Sequence, residues 1–325
     1  MRRSFLCAMS AMSVVVFLLL GTDGAAEATP AAPHVIATVP VGEGPSGLAV
    51  NDTTSRVYVA NFREDTISVI DQTTKTVETV EVGSGPAAIG VNTVTNEVYV
   101  ANQNGGVTVI DGATNTVLGT VPMGGLPDGV AVNSNTNTIY VSNFLANSVS
   151  VIDGSTHHVV DTVPVDPAPL GIAVNPTTNL VYVASVDGDS VPVIDGATYT
   201  VITTVLGVGS DPSSLAIDVL HNRIYVAARS SNQLYQIDGE INLVIGHLSV
   251  GMYPTGVGVS QATGRVYVAN QLSSNVSVVR GHPLRLLGSI TVGTTPTDAE
   301  VDPVTGRAFA SNQDSATVSV IGPNA

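Results

Sequence analysis

Tryptophan is absent from the 325-residue chain, cysteine occurs once, and Lys75 is its only lysine. Aromatic residues make up 4 % and charged residues 11 %. So few charges exclude a coiled coil, and a hydrophobic content of 44 % excludes a disordered protein. Eleven Lys and Arg stand against 26 Asp and Glu, for a net charge of −15. A polyanion needs basic contacts for its phosphates, so nucleic-acid binding is excluded, and with it a basic membrane-surface patch. The single cysteine, Cys7, permits no internal disulfide. The apolar run Val14 to Leu20 is too short for a stable membrane span.

That run instead reads as the core of a signal peptide. Arg2 and Arg3 precede it, and Ala26-Glu27-Ala28 offers small residues where a signal peptidase reads. The expected division is a signal peptide over 1–28, a short linker over 29–34 and one folded domain over 35–325. Arg2-Arg3-Ser4-Phe5-Leu6 also resembles a twin-arginine signal, but the apolar core and the lack of a basic residue near the cut favour the ordinary secretory route. The mature protein is expected outside the cytoplasm, without transmembrane anchor or thiol.

Valine and threonine are abundant, with 32 glycines and 18 prolines spread among them. β-branched residues punctuated by turn formers indicate many short strands. A period orders them. Pro45, Pro86, Pro127, Pro169, Pro212, Pro254 and Pro296 follow at spacings of 41 to 43 residues. Tyr58, Tyr99, Tyr140, Tyr182, Tyr225, Tyr267 and Phe309 keep the same step, and Ile-Asp pairs such as Ile70-Asp71 keep it again. A repeat of about 42 residues with four strand-like runs is the signature of a β-propeller.

In the first unit the runs are Ser46–Asn51, Arg56–Ala60, Thr66–Ile70 and Val77–Val82, denoted A to D. Small residues alternate along A (Gly47 and Ala49, Ala88 and Gly90), which suits the crowded strand nearest a propeller axis. The chain opens on an unpaired D-like run, Ile36–Val41, and closes on a C-like run, Thr317–Ile321. The N-terminal run should therefore complete the last sheet and cover its edge. The fold class expected is all-β: a seven-bladed propeller of four antiparallel strands per blade, closed by the N-terminal strand.

The string Val57-Tyr58-Val59-Ala60-Asn61 returns at Val98–Asn102, Ile139–Asn143 and Val266–Asn270. With the preceding Pro-x-Gly and the following Val-Ile-Asp, it resembles the YVTN family of β-propeller repeats. The resemblance spans the mature chain and implies a seven-bladed, exported or surface-associated propeller. It implies no particular chemistry, because propellers serve binding, scaffolding and several enzyme classes. Ser185 and Ala228 depart from it by replacing the asparagine.

The candidate site residues lie in the D–A and B–C loops, which share one end of the ring. Asn61, Asn102, Asn143, Asn270 and Asn312 recur too regularly for a ligand site, and an Asx-type bond shaping the B–C loop is expected of them. The Asp residues ending strand C suit Asp-Gly turns. No histidine falls in these loops, since His157, His158, His221 and His282 belong to turns at the other end. A triad hydrolase or a lyase would lack its usual base here.

Acidic residues crowd the same loops, Asp128, Asp166, Asp187, Asp189 and Asp314 among them, with Arg63 and Arg229 as the only bases. Such clustering draws cations or a basic partner, or simply keeps an exported protein soluble. Asp187-Gly188-Asp189 resembles a fragment of a calcium loop. Asp298 and Glu300 stand out most. They occupy positions held by Gly, Ala or Ser in the other six units, and i and i+2 on a strand share a face. Like charges so close should raise one pKa unless a cation or an Arg intervenes.

Three functional readings follow. In the first, the chain is a non-enzymatic interaction scaffold with Phe62, Phe144 and Tyr253 as anchors, Arg63 and Arg229 as orienting bases, and no cofactor. Its partner would be a protein, a cell-surface component or a small cationic ligand. In the second, Asp298 and Glu300 help hold Ca²⁺ or Mg²⁺ in a metal-assisted hydrolase or lactonase-like enzyme. A structural place in a cell-surface layer is the third.

Overall fold

The computed structural model describes residues 32–322, so the expected signal peptide and Cys7 lie outside the described residues. These residues form seven four-stranded antiparallel sheets. Six are built from consecutive strands in the order A-B-C-D, beginning with Pro45–Asn51, Arg56–Asn61, Thr66–Asp71 and Val77–Glu81. The seventh joins Pro296–Val301, Ala308–Asn312 and Thr317–Gly322 to the N-terminal strand His34–Pro40. Thr38 faces Ser319 and Val39 faces Val318 in that antiparallel pair. The closure expected from the sequence is thus present, with the first strand starting two residues earlier than expected.

Each A strand lies beside the A strands of its two neighbours, which places A at the axis. The small residues of A are required by this approach. A Cβ on Gly47 would lie 2.6 Å from the Ala87 carbonyl oxygen and 2.7 Å from the Ala88 Cα of the next blade. Strand D is outermost: Thr116, Val117, Leu118, Gly119 and Thr120 are all exposed.

Strands B and C carry the core on both faces. Seven apolar clusters result, one at each seam between blades. At the closing seam Leu48 and Val57 of the first blade meet Phe309 and Val318 of the last. Between the first two blades Tyr58 and Ile67 meet Ile89 and Val98. Each buried Val or Ile contributes about 1.5–3 kcal/mol over an exposed one, so no single seam dominates.

A polar ladder stitches the blades at the end carrying the A–B turns. The buried amides of Asn51, Asn92, Asn133 and Asn175 donate to Oδ1 of Asn96, Asn137, Asn179 and Asn222 in the following blade, at 2.6–2.9 Å. The Asp residues ending strand C do hold turns. Asp71 Oδ1, for example, accepts the N–H groups of Thr73 and Thr74 at 2.7 and 2.8 Å.

Candidate functional site

The B–C and D–A loops meet at the other end of the ring, where a cavity of about 550 Å³ opens on the axis. One repeated contact builds its rim. The residue after the last position of strand B donates its N–H to the carbonyl of the residue before each repeat proline. Phe62 donates to Gly44 at 3.0 Å, Gln103 to Gly85 at 2.9 Å and Phe144 to Leu126 at 3.0 Å. Val186, Arg229, Gln271 and Gln313 repeat the bond at 2.9–3.0 Å. The accepting residue has a left-handed backbone in every blade, with φ between 55 and 69°. Tyr253 is one of these, with φ 55°. A bulky residue is strained by about 1–2 kcal/mol there, and its ring is held at the cavity.

The five repeated asparagines sit just beneath this rim, fully buried or nearly so. Their amides do build the frame, but not through the Asx bond expected from the sequence. Asn61, Asn102, Asn143, Asn270 and Asn312 donate across to Ser68, Thr108, Ser150, Ser277 and Ser319 of strand C, at 2.9–3.0 Å.

Of the sequence candidates, Phe62, Phe144, Tyr253, Arg229, Asp128, Asp298 and Glu300 line the cavity together. Arg63, Asp166, Asp187, Asp189 and Asp314 do not. Arg63 pairs with Asp314 at 3.0 Å on the outer rim. Asp166 accepts from the Ser190 hydroxyl at 2.6 Å. Asp189 accepts the backbone N–H of Asp211 at 2.8 Å, just as Asp65 accepts that of Gly85 at 2.9 Å. Part of the acidic rim therefore ties B–C loops to D–A loops. Gln103, Gln271 and Gln313 line the cavity and were not singled out from the sequence, although their register with Phe62 and Phe144 in the repeat marks them.

Asp128 and Gln103 form one polar contact in the cavity, Gln103 Nε2 donating to Asp128 Oδ2 at 2.7 Å. Burial raises the Asp128 carboxyl, while this bond and the charge of Arg229 pull it back. The Arg229 guanidinium lies 5.6 Å from the centre of the Tyr253 ring and 3.8 Å from Asp211, so its charge is partly matched.

Asp298 and Glu300 lie deeper, in the seam between the last inner strand and the first. Where Gly47, Gly129 and Gly171 meet the backbone of the following blade, carboxylate side chains stand here. Asp298 Oδ2 accepts the Leu48 N–H of the first blade at 2.8 Å, and Oδ1 accepts its neighbour Ala299 N–H at 2.8 Å. Glu300 Oε2 accepts the Val301 N–H at 3.1 Å. Burial pushes Asp298 up to about 6 against the pull of its two N–H bonds. Burial, and then the Asp298 charge, push Glu300 up to about 8 against one such bond. Burial, more than the like charge expected from the sequence, raises both carboxyls, and the neighbouring charge adds to it only at Glu300.

Among the described residues, no three His, Cys, Asp or Glu side chains converge on a point that could hold a metal ion. The Asp187-Gly188-Asp189 fragment gathers no further ligands. His157 and His221 stand at the opposite end, paired with Glu97 at 3.1 Å and with Asp218 at 2.8 Å, while His34 and His247 lie in outer strands.

This is a seven-bladed β-propeller. A solved structure of hydrazine synthase from Kuenenia stuttgartiensis superposes on it with a TM-score of 0.78 and 18 % identity, over 87 % of this chain and 96 % of that one. At such identity the likeness shows the fold alone. The chain matches no protein-family model and no curated protein. Among the described residues no helix is long and apolar enough to cross a membrane.

Proposed function

We propose that the protein is an exported propeller of the YVTN repeat kind that binds a partner at the end formed by its D–A and B–C loops, without catalysing a reaction. One observation carries this. The frame of the rim is the same in all seven blades, yet the side chain it presents differs: Phe62, Gln103, Phe144, Val186, Arg229, Gln271 and Gln313. A constant frame displaying varied aromatic, amide and guanidinium groups is how a repeat ring builds an asymmetric recognition surface. The hydrolase reading has less support, because its carboxylates are two rather than a ligand set and no histidine lines the cavity.

Peptide and glycan arrays probed with the labelled protein and with a Phe62→Ser, Phe144→Ser variant test the proposal. Spots bound by the wild type and lost by the folded variant support recognition at this face. Spots bound equally by both would move recognition elsewhere and overturn it.

A further inference from the structure

We propose that the cavity receives an alkylammonium group, with the aromatic rim around its apolar stem and the cation lodged against Asp298 and Glu300. This rests on the reading of that end as the binding face, and it names the chemistry of the ligand.

The two zones of the cavity carry the argument. Phe62, Phe144 and Tyr253 line the cavity with aromatic surface suited to aliphatic carbon, and the Tyr253 ring already has the Arg229 guanidinium 5.6 Å from its centre. Asp298 and Glu300 lie two and four residues past Pro296 on an extended strand. At about 3.3 Å per residue they stand about 7 and 13 Å further along the shaft. A four- or five-carbon stem links the rim to the Asp298 level, and Glu300 stands one step deeper on the same face. Among the described residues neither carboxyl has a Lys, Arg or His partner, since the ion pairs found lie elsewhere.

The groups packed around the pair add no opposing charge. On one side the first blade offers the Leu48 N–H, and on the other the sixth blade offers Gly256 and Gly258. Across the cavity stand Asp128, held by Gln103, and Arg229, facing Asp211. An anion would meet three carboxyls and one base that already has a partner. A bare divalent ion would want more oxygen ligands than the pair supplies. An ammonium needs only a few acceptors and tolerates aromatic walls.

A primary ammonium can come from a free amine or from a lysine of a partner protein. Calorimetric titration with 1,5-diaminopentane, with a short lysine-containing peptide and with the same peptide acetylated at lysine separates them. Either of the first two binding, with the acetylated peptide and 1-pentanol inert, supports the proposal and names the source. Affinity should rise from pH 6 to pH 9 as the two raised carboxyls ionise. An Asp298→Asn, Glu300→Gln variant that keeps its fold by circular dichroism should bind at least about tenfold more weakly. Absence of binding by both amines, equal binding by the variant, or equal binding of 1-pentanol overturns it. Array spots lost in the Phe62→Ser, Phe144→Ser variant would still uphold the binding face in that event.

Discussion

Replacing Glu300 by Gln should stabilise the propeller, and increasingly so as pH rises above about 4.5. The ordinary glutamate value of 4.5 rises to about 8 in the folded protein, mainly through burial. Between those two values the folded state holds a proton that the unfolded state has released, so stability falls as pH increases. Below both values the carboxyl is neutral in either state and contributes nothing to the difference. At about 1.4 kcal/mol per pH unit, the full penalty above pH 8 would approach ~5 kcal/mol. The side chain keeps part of its surface open to the channel, so about half of that is a sounder expectation. Glutamine fills the same volume, and its carbonyl can keep the Val301 N–H bond. The variant should therefore unfold with wild-type stability near pH 4 and gain about 2–3 kcal/mol by pH 8.5. For a domain of this size that is a rise of roughly 3–5 °C in Tm. Urea unfolding at several pH values measures the difference without a thermal scan. A gain that is the same at pH 4 and pH 8.5 would mean that Glu300 does not titrate with a raised value. A loss of stability at pH 8.5 would mean that its charge is compensated.

Deleting residues 29–41 should leave the Thr317–Gly322 strand with an open edge, giving aggregation or a large drop in Tm; a monomer with an unchanged melting profile would refute the closure. Gly256→Val should cost more than the about 1–3 kcal/mol of ordinary overpacking, because the new Cβ would fall onto the Asp298 Cα, which is backbone and cannot turn aside. Wild-type yield and Tm in that variant would show the seam to be looser than described. Mass spectrometry of extracytoplasmic protein should find a chain beginning near Thr29, without lipid, and recovery of Cys7 in it would contradict cleavage.

The repeat makes most of the fold legible in the sequence. Arg56–Ala60 was expected and Arg56–Asn61 is found, and the unpaired runs at the two ends foretold the shared last blade. Period and residue type suffice for this because every blade solves the same packing problem. The site was less legible. Asp189 reads from the sequence as rim charge, and its bond to the D–A loop, like that of Asp65, depends on a left-handed backbone that composition does not reveal. Gln103 was passed over because an amide in a loop carries no signal alone; its meaning comes from standing where Phe62 and Phe144 stand. Asp298 was visible as an anomaly, but its partner, the Leu48 N–H, lies 250 residues away and emerges only when the ring closes.

That closure bears on how the molecule assembles. Six sheets form from strands adjacent in sequence, through hairpins that need only short loops. The seventh must bring Val39 to Val318, across almost the whole chain. Chain-closure entropy grows as the logarithm of the span, so this pairing costs about 3 kcal/mol more than a hairpin of a few residues. The strand made first is therefore the last to find its partner. Until it does, the Leu48 and Phe309 faces of the open arc are both exposed to solvent, and the arc can take in a strand from another copy. The yield of refolded monomer should fall, and dimer formation rise, when protein concentration is increased during this final step.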